Sequence, residues 1–486
     1  MEKKDLKPAG VFKYFEEICQ VPRPSKKEEK MIAYLKAFGA KHNLETKVDE
    51  AGNVLIKKPA TPGKENLQTV VLQSHIDMVC EKNNDVQHDF LTDPIETEID
   101  GEWLKAKGTT LGADNGIGVA TELAILADDS IEHGPLECLF TVDEETGLTG
   151  AFALQEGFMS GDILLNLDSE DEGKIFIGCA GGIDSVAEFT YKEVKVPAGY
   201  FFFKVEVKGL KGGHSGGDIH LGRGNANKIL NRFLSRMAGR HDLYLCEING
   251  GNLRNAIPRE AYAICAVPED AKHDVRTELN IFTSEMEDEL SVVEPDLKLV
   301  LESETPRKTA IDQDTTTRLL KALYAAPHGV YAMSQDIPGL VETSTNLASV
   351  KMKPNHVIRI ETSQRSSILS ARNDMANTVR AVFQLAGANV TFGEGYPGWK
   401  PNPHSAILEV AVESYKRLFG VDAKVKAIHA GLECGLFLDK YPTLDMISFG
   451  PTLTGVHSPD ERMLIPTVEK FWKHLLDILA HVPAKK

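Results

Sequence analysis

The sequence predicts an α/β protein with a mixed, mainly parallel sheet and an inserted α+β domain. The chain has 486 residues, which is more than one ordinary hydrophobic core accommodates. Apolar runs in its first part end on His or acidic residues, the pattern of buried strands that lead into a ligand site. From about Ser185 the pattern changes to half-exposed strands, and after about Gly395 the earlier pattern returns. We therefore predict one domain from residues 1–185 and 396–486 and another from residues 186–395.

The chain begins with two helices that we assign to the core. Apolar residues recur at helical spacing between Ala9 and His42. The run Pro22-Arg23-Pro24-Ser25 separates the helices, and Ser25 is predicted to cap the second one. No chemistry is assigned to this region.

His75 and Asp77 follow the first buried strand, which is predicted to end at Ser74. In extended backbone, residues two positions apart share a face. A histidine that binds zinc usually has a carboxylate nearby to orient its ring. An isolated His-x-Asp is more often an ordinary pair at a strand end, so this pair needs support from the rest of the chain.

Asp114 lies in a glycine-containing turn, Leu111 to Gly116, that leads into a helix with an apolar face. A carboxylate at this position has two possible roles. It either caps the amino terminus of the helix or lies between two cations.

Adjacent acids follow the next buried strand, and a third acid follows the one after it. Glu144 and Glu145 come directly after the apolar run Leu136 to Val142, and Asp168 closes the run Asp162 to Leu167. Neighbouring side chains at a strand end point different ways, so one Glu can bind a metal while the other faces a water. A lone acidic pair usually lies on a solvated face. Three buried strands that end in such groups should bring them together at one edge of the sheet.

In the predicted inserted domain, the glycine-rich run Lys211 to Gly217 presents His214 and Ser215. The run also matches the Gly-x-Ser-x-Gly pattern of serine hydrolases. The serine of that pattern acts as a nucleophile where a strand turns at once into a helix. Here the helical stretch begins only at about Asn225, so we interpret the match as accidental.

Two further polar positions lie in the inserted domain, and a last histidine lies beyond it. Asn255 stands in an Asn-Ala-Ile-Pro turn, and Arg365 stands on a later strand.

After a linker-like run, Tyr396 to Pro403, an amphipathic helix returns the chain to the pattern of the first domain. The strand Leu444 to Phe449 and its loop then lead to His457, which follows a strand end as His75 does.

Charge and composition exclude several partners. The formal charge is −17, from 54 basic and 71 acidic residues, which argues against a nucleic-acid or anionic-membrane partner. No apolar run has the length of a membrane span, and the first residues carry no signal-peptide pattern. The seven cysteines are scattered and form no Cys-x-x-Cys pair. Reduced thiols and a cytoplasmic location are therefore predicted.

The residues at the predicted strand ends combine imidazoles with carboxylates. They are His75, Asp77, Asp114, Glu144, Glu145, Asp168 and His457. Mixed ligation of this kind suits zinc, with manganese or cobalt as alternatives. A single structural zinc is less favoured, because such sites prefer cysteine and close spacing.

Six ordered motifs resemble the M20 metallopeptidases, and within them the aminoacyl-histidine dipeptidases (Xaa-His dipeptidases of the bacterial carnosinase type). The motifs, which span nearly the whole chain, are Ser-His-Ile-Asp-Met-Val, Gly-Ala-Asp-Asn-Gly, Thr-Val-Asp-Glu-Glu-Thr-Gly, Leu-Asp-Ser-Glu, Gly-Gly-His-Ser-Gly-Gly and Gly-Val-His-Ser-Pro-Asp-Glu. The resemblance implies a zinc-peptidase-like catalytic domain made of residues 1–185 and 396–486. It implies that residues 186–395 form a lid and dimerisation domain.

The resemblance also implies two divalent metal ions per subunit, zinc in the first place. The implied ligands are His75 and Asp168 for one ion, Glu145 and His457 for the other, and Asp114 as the bridge. By the same resemblance, Asp77 would orient His75, Glu144 would act as the general base, and the Asp114–Asn115 peptide bond would be cis.

Substrate contacts and assembly are implied in the same way. His214 would polarise the substrate carbonyl in the site of a partner subunit, within an isologous homodimer. Asn255, Arg365 and Glu433 would contact the substrate. Whether His214 acts in its own or the partner subunit stays open at this point.

The resemblance predicts a cytosolic dipeptidase that hydrolyses Xaa-His dipeptides, including carnosine-like ones. The alternatives are another activity of the family (tripeptidase, deacylase or carboxypeptidase), a serine hydrolase that uses Ser215, and a silent metal-dependent peptide-binding protein. The presence of Glu144 argues against the last, because binding alone needs no base.

Overall fold

The structure is a computed structural model that describes residues 2–83 and 85–485. The chain divides into two compact units. Unit 1 comprises Met1–Gly178, Trp399–Ala427 and Glu433–Lys486, and unit 2 comprises Cys179–Gly398 and Ile428–Leu432. Both units contain helices and strands, and the predicted α/β class is confirmed. The sheet of unit 1, predicted to be mixed and mainly parallel, is mixed and partly parallel.

The first segment of unit 1 carries five helices and eight strands among the described residues. The helices are α1 (Ala9–Cys19), α2 (Glu29–Lys41), α3 (Ala113–Ala127), α4 (Glu144–Gly147) and α5 (Thr149–Ala153). The strands are β1 (Glu45–Val48), β2 (Val54–Lys58), β3 (Val70–His75), β4 (Thr97–Asp100), β5 (Trp103–Ala106), β6 (Leu136–Thr141), β7 (Ile163–Asn166) and β8 (Lys174–Cys179).

Unit 2 contains eleven strands and four α-helices among the described residues. The strands are β9 (Gly181–Thr190), β10 (Glu193–Lys195), β11 (Tyr200–Lys208), β12 (Tyr244–Gly250), β13 (Ala261–Pro268), β14 (Lys298–Ser303), β15 (Thr309–Ile311), β16 (Gly329–Met333), β17 (Val341–Lys353), β18 (Val357–Ser366) and β19 (Asn389–Phe392). The helices are α6 (Ala226–Ala238), α7 (Lys272–Leu290), α8 (Gln313–Ala325) and α9 (Leu369–Leu385).

The last part of the chain returns to unit 1. Its strands are β20 (Lys424–Ile428), β21 (Asp445–Ser448), β22 (Leu453–Thr454) and β23 (Arg462–Leu464), and its helices are α10 (Ala406–Phe419), α11 (Cys434–Lys440) and α12 (Ile465–Ala480). The side chain of Ser405 caps α10 by accepting the Leu408 N–H at 3.1 Å.

An eight-stranded sheet organises unit 1, with the strand order β1-β2-β6-β3-β7-β21-β8-β20. The four central strands β6, β3, β7 and β21 run parallel to one another, whereas the flanking strands β2 and β8 pair with β6 and β21 in antiparallel direction. Every residue of β3, β6 and β7 is buried, as expected for parallel strands that are covered on both faces. Parallel pairing places the carboxyl ends of these strands at one edge of the sheet. A separate four-stranded sheet has the order β22-β23-β5-β4.

Unit 2 is built on an antiparallel sheet with the order β14-β11-β13-β12-β17-β18-β9-β19, and β16 pairs with β17. Its core includes the fully buried aromatic side chains of Phe203, Phe233, Phe282 and Phe383. The helix predicted from about Asn225 is α6, and the Asn225 side chain caps it by accepting the Lys228 N–H.

Two chain-wide properties accord with the composition. The seven cysteines, all within the described residues, form no disulfide. Among the described residues, no helix is both long and apolar enough to cross a bilayer.

Candidate active site

The predicted strand-end residues of unit 1 converge. His75 is the last residue of β3, Glu144 and Glu145 open α4 shortly after β6, and Asp168 follows β7 by two residues. Because β6, β3 and β7 are parallel neighbours, these side chains emerge at one edge of the sheet. His457 joins them from the loop between β22 and β23. We call His75, Asp114, Glu145, Asp168 and His457 the strand-end cluster.

Asp114 lies between the two histidines of the cluster. Its Oδ1 is 3.1 Å from His75 Nε2, and its Oδ2 is 3.2 Å from His457 Nε2. Asp168 Oδ1 is 3.4 Å from His75 Nε2, and Glu145 Oε2 is 3.0 Å from His457 Nε2. The cluster therefore consists of two groups that share Asp114. The Asp114–Asn115 peptide bond is cis, as predicted.

The donor set of the strand-end cluster fits divalent cations. Single ligand atoms of His75, Asp114 and Glu145 all lie within 4.8 Å of one another. The second carboxylate oxygen of Glu145, Oε1, is buried and has no hydrogen-bond partner in the structure. An unpaired buried carboxylate oxygen is costly unless a cation or a donor meets it. Imidazole and carboxylate ligands together suit zinc, manganese or cobalt.

The charges of the strand-end cluster also favour the binding of cations. Contacts with the carboxylates of Asp114 and Glu145 raise the pKa of His457 to about 11. Burial and the negative charge of Asp114 raise the pKa of Asp168, although His75 and Asn115 oppose this shift. Carboxylates crowded into a desolvated site are stabilised as anions when cations lie between them.

Glu144 stands beside the cluster and is not part of its short contacts. Burial raises the pKa of its carboxyl well above the ordinary value; His75 acts in the opposite direction, and the negative charges of Asp168 and Glu145 add to the increase. A carboxylate in such surroundings holds a proton more readily than one in water. This is the property that a general base near neutral pH requires.

Asp77 connects the histidine to the two adjacent glutamates. Its Oδ1 is 3.2 Å from His75 Nδ1 and accepts the Glu144 N–H at 3.1 Å, and its Oδ2 accepts the Glu145 N–H at 3.3 Å. Ser25 Oγ donates to the same Oδ2 at 2.7 Å. The predicted capping role of Ser25 is wrong, because α2 begins at Glu29 and its N-cap residue is Glu28. The hydroxyl binds a carboxylate that is distant in sequence instead.

We predict that Asp77→Asn lowers activity by about 10- to 100-fold, the usual effect of removing a partner that orients a metal-binding histidine. The amide keeps the volume of the carboxylate but cannot accept from both backbone N–H groups and also balance the imidazole charge. Steady-state rates measured across a titration of added Zn²⁺ would test this. Ser25→Ala serves as the matched control and should cost less, because only one of the bonds to Asp77 is lost. Equal rates for Asp77→Asn and wild type would contradict the orienting role.

Glu461 is a supporting residue that sequence reasoning missed. Its Oε2 accepts the N–H groups of Leu111 and Gly112 at 2.7 and 2.9 Å, and its Oε1 accepts those of Ala113 and Asp114 at 2.8 and 3.2 Å. One buried carboxylate thus holds four successive amides at the start of α3 and fixes the backbone of Asp114. Glu461 is the last residue of the motif that contains His457, and this position was the one sequence signal that could have pointed to it.

Arg23 and Asn115 were missed as well. The guanidinium of Arg23 is 2% exposed and donates to the carbonyl oxygens of Asp77 at 3.0 Å and Gly112 at 2.5 Å. Asn115 Nδ2 donates to the carbonyl oxygen of Leu167 at 3.1 Å and to Asp168 Oδ1. These bonds tie the loops of the cluster to one another.

In unit 2, the loop around His214 sets the tautomer of its ring. His214 Nδ1 accepts the N–H groups of Gly216 and Gly217 at 3.2 and 3.1 Å, and Asp218 Oδ2 accepts the His214 N–H at 2.8 Å. Because Nδ1 is an acceptor, a neutral ring carries its proton on Nε2. His214 is therefore arranged as a hydrogen-bond donor through Nε2.

Unit 2 also brings Asn255 and Arg365, two of the other three predicted substrate residues, close to this loop. Ser215 N–H donates to the Asn255 carbonyl oxygen at 2.8 Å, and Arg365 Nε donates to Ser215 Oγ at 3.3 Å. Arg365 Nη1 donates to the Tyr396 hydroxyl at 2.9 Å. His214 and Asn255 border a cavity of about 680 Å³ in this unit.

The structure gives no support to Ser215 as a nucleophile. Ser215 lies well inside the connection between β11, which ends at Lys208, and α6, which begins at Ala226. A nucleophile elbow needs a strand that turns directly into a helix. The Ser215 hydroxyl accepts a hydrogen bond from the Arg365 guanidinium, which cannot act as a general base toward it.

Glu433 lies in the core of unit 1. It is fully buried, and its Oε2 accepts from Gln73 Nε2 at 2.6 Å and from Thr141 Oγ1 at 2.8 Å. Burial raises the pKa of Glu433 to about 8. Its contacts are with strands β3 and β6, whose ends carry His75 and the two glutamates.

A mixed α/β fold with imidazoles and carboxylates gathered at the carboxyl edge of parallel strands is an arrangement typical of metal-dependent hydrolases. A comparison with family models identifies the particular family. The model of peptidase family M20/M25/M40 matches residues 71–481, and the chain belongs to this family of hydrolases that act on peptide bonds. The resemblance inferred from the six motifs is confirmed.

Two relatives match over their full lengths. The chain is 46% identical over 484 residues to the cytosol non-specific dipeptidase of Escherichia coli strain K12, and the match covers 100% of both chains. The crystal structure of aminoacylhistidine dipeptidase from Vibrio alginolyticus is also 46% identical, with a TM-score of 0.92 over 100% of this chain and 99% of the other. Aminopeptidase PepT from Bacillus cereus, at 16% identity and a TM-score of 0.61, covers 98% of this chain and 99% of its own and shares the fold.

Proposed function

We propose that the protein is a dipeptidase that works with two divalent metal ions per subunit, zinc in the first place. The observation that carries the proposal is the position of Asp114, whose two carboxylate oxygens face His75 Nε2 and His457 Nε2 at 3.1 and 3.2 Å. A carboxylate in this position is suited to bridge two cations. His75 and Asp168 would complete one site, and Glu145 and His457 the other.

The proposed reaction is hydrolysis by an activated water molecule. When bound, two divalent cations would lower the pKa of a water molecule toward about 7 and polarise the peptide carbonyl. Glu144 accepts the proton of the water and returns it to the leaving amine. Its backbone N–H is held by Asp77, and its carboxyl makes none of the short cluster contacts. This arrangement supports a base and not a ligand.

Residues of unit 2 are proposed to bind the substrate. His214 donates from Nε2–H to the carbonyl oxygen, where negative charge develops as the water attacks. Arg365 pairs with the carboxylate of the dipeptide, for which the guanidinium has the matching two-pronged geometry. Asn255 contributes a further polar contact. Glu433 is also proposed to take part in placing the substrate, and its bonds to Gln73 and Thr141 suggest that it does so through the strand ends.

Xaa-His dipeptides, including carnosine-like ones, are the proposed substrates. The name of the Vibrio relative points to an aminoacyl-histidine substrate, whereas the name of the E. coli relative points to dipeptides without a fixed side chain. We therefore place Xaa-His dipeptides within a wider set of dipeptides. The alternative is another activity of the family, with tripeptides, acyl-amino acids or the substrates of a carboxypeptidase.

The test is a substrate panel assayed with and without a chelator. Purified protein should hydrolyse Ala-His, carnosine and several dipeptides that lack histidine, and less readily tripeptides and N-acetylated amino acids. A chelator should abolish all of these activities, and added Zn²⁺, Mn²⁺ or Co²⁺ should restore them. Preferred cleavage of acylated amino acids or tripeptides would overturn the dipeptidase assignment in favour of another activity of the family.

The same panel separates the remaining candidates. A serine hydrolase that used Ser215 would keep its activity in the chelator and lose it on Ser215→Ala. A silent peptide-binding protein would bind dipeptides in the presence of metal and release no products.

The proposed location is the cytoplasm, and the proposed partners are small peptides and a second copy of the chain, without nucleic acid or membrane. The name of the E. coli relative and the absence of disulfides support the location. The net charge of −17 supports the exclusion of nucleic acid. The homodimer rests on the family resemblance.

A further inference from the structure

A row of polar side chains crosses the central strands of the unit 1 sheet. Gln73 of β3 lies directly opposite Asn166 of β7, and Asn166 lies directly opposite Ser448 of β21. All three side chains are fully buried. Strands that are buried on both faces usually carry apolar side chains, because a buried polar group costs free energy unless it is hydrogen-bonded. Three polar groups in one row are therefore a feature that the packing of the sheet does not need.

Hydrogen bonds join this row to one further residue at each end. Asn166 Nδ2 donates to Gln73 Oε1 at 2.6 Å, and Ser448 Oγ donates to Asn166 Oδ1. At one end, Ser169 Oγ lies 2.7 Å from Ser448 Oγ. At the other end, Gln73 Nε2 donates to Glu433 Oε2 at 2.6 Å. We call these five residues the buried row.

The hydrogen bonds of the buried row all point toward Glu433. The single proton of the Ser448 hydroxyl is donated to Asn166, so Ser169 is the donor in its bond with Ser448. Each following member accepts from one neighbour and donates to the next, and the Glu433 carboxylate accepts the last bond. Rotation of any member would leave buried polar atoms of its neighbours unpaired, which is costly. The bonds therefore hold the buried row in one arrangement.

Two members of the buried row flank Asp168, a proposed metal ligand. Asn166 precedes Asp168 by two residues, and Ser169 follows it directly. The hydroxyl group of Ser448 is hydrogen-bonded to the side chains of both. One buried group on β21 thus fixes the chain before and after Asp168 and limits the positions that the Asp168 carboxylate can take.

The other proposed ligand of the same ion lies on the strand that carries Gln73. His75 is two residues further along β3, so its side chain and that of Gln73 point to the same face of the sheet. The bond between Gln73 and Asn166 joins β3 to β7 just before the two ligands emerge. The buried row is therefore placed to set the distance between His75 and Asp168.

We propose that Ser448 is a positioning residue for the metal site of His75 and Asp168, and that it acts through the buried row. The inference rests on the proposed two-metal function. Residues that support metal ligands through hydrogen bonds typically contribute about 10- to 100-fold to metal affinity. The effect should be confined to one ion, because the separate ligands of the other, Glu145 and His457, lie on α4 and on the loop between β22 and β23, outside the buried row.

Competition for Zn²⁺ between the purified protein and a chromophoric chelator measures the affinities of the two ions. Wild type should bind two ions, and Asp168→Asn identifies the affinity that belongs to the site of His75 and Asp168. In Ser448→Ala this affinity should fall by about 10- to 100-fold, while the affinity for the other ion stays unchanged. Wild-type affinities for both ions in Ser448→Ala would overturn the proposal.

Ser185→Ala in unit 2 is the matched control. The Ser185 hydroxyl is also buried, and it donates to a side-chain amide oxygen, Gln364 Oε1, at 2.6 Å. The variant loses a buried serine bond of the same kind, and both Zn²⁺ affinities should keep their wild-type values. An equal loss of affinity in Ser185→Ala, or equal weakening of both ions in Ser448→Ala, would also overturn the proposal, because either result reports on the stability of the fold and not on one metal site.

Ser169→Ala decides the question if Ser448→Ala does not fold. Ser169 is 8% exposed, and its replacement breaks the bond after Asp168 while Ser448 keeps its bond to Asn166. A lower affinity for the same ion supports the proposal, and wild-type affinities in this variant overturn it.

The wild-type titration tests the proposed function separately. Fewer than two Zn²⁺ ions per chain in wild type would contradict the two-metal function, and the inference would fail with it. Two ions in wild type, together with unaltered affinities in Ser448→Ala, would refute the positioning role alone.

Discussion

Replacing Glu144 with Gln is expected to remove nearly all turnover and to leave the metal content unchanged. The amide has the size of the carboxylate but cannot accept a proton from water. Loss of a general base typically costs about a hundred- to ten-thousandfold in rate. The strand-end cluster does not include Glu144, so all of the proposed metal ligands are retained in the variant.

The measurement combines kcat with metal analysis by mass spectrometry on the same preparation. Glu156→Gln, at an exposed position just beyond α5, is the control for the chemical change and should behave as wild type. Glu145→Gln is the contrast, because it removes a proposed ligand and should lower metal content as well as rate. If metal content in Glu144→Gln fell in step with its rate, Glu144 would be a ligand and the assignment of the base would be wrong.

Replacing Asp114 with Asn is expected to abolish both activity and the binding of two ions. The two oxygens of Asp114 face His75 and His457, and an amide offers one oxygen, without charge, to only one of them. Loss of one electrostatic contact in a water-excluded site costs about a hundred- to thousandfold in rate. Loss of the bridge affects both ions, so the rate should fall at least this far.

Thermal unfolding with and without metal gives a second readout. A ligand that binds only the folded state raises Tm, so wild type should unfold at higher temperature when Zn²⁺ is added, and Asp114→Asn should lose most of this increase. Without metal the variant should be no more stable than wild type, because contacts with His457 and His75 hold the pKa of Asp114 well below its ordinary value, and such a carboxylate favours the folded state at neutral pH. Asp100→Asn, at an exposed position, should keep the full metal response. Two ions per chain in Asp114→Asn would refute the bridging role.

Residues next to buried strands could be predicted because their signal is local. The apolar run before His75 marks a strand that is covered on both faces, and a polar residue directly after such a run must lie at the strand end. The same reasoning applies to Glu144 and Asp168. Parallel pairing then brings the three ends to one edge, which is a general property of open α/β sheets.

The residues that support the strand-end cluster through hydrogen bonds had no such local sequence signal. Glu461 accepts hydrogen bonds from residues 347 to 350 positions earlier in the chain, and nothing in its sequence neighbours indicates which amides it meets. Ser25 illustrates the opposite error: a serine just before a helical stretch is a usual cap, but here a distant carboxylate competed for its hydroxyl. Local propensity yields to tertiary contacts in both cases.

By itself, the sequence determined the α/β class, the strand ends that carry the candidate metal ligands and membership of the M20 family, because these depend on residues that are adjacent in the chain. Only the tertiary structure decided that Asp114 lies between His75 and His457, that Glu461 holds the backbone of Asp114, and that Asp77 accepts the N–H groups of both adjacent glutamates. These features depend on which distant segments pair. Strand order and long-range hydrogen bonds are set by packing of the whole chain, whereas a periodic pattern of apolar residues does not specify which strands become neighbours.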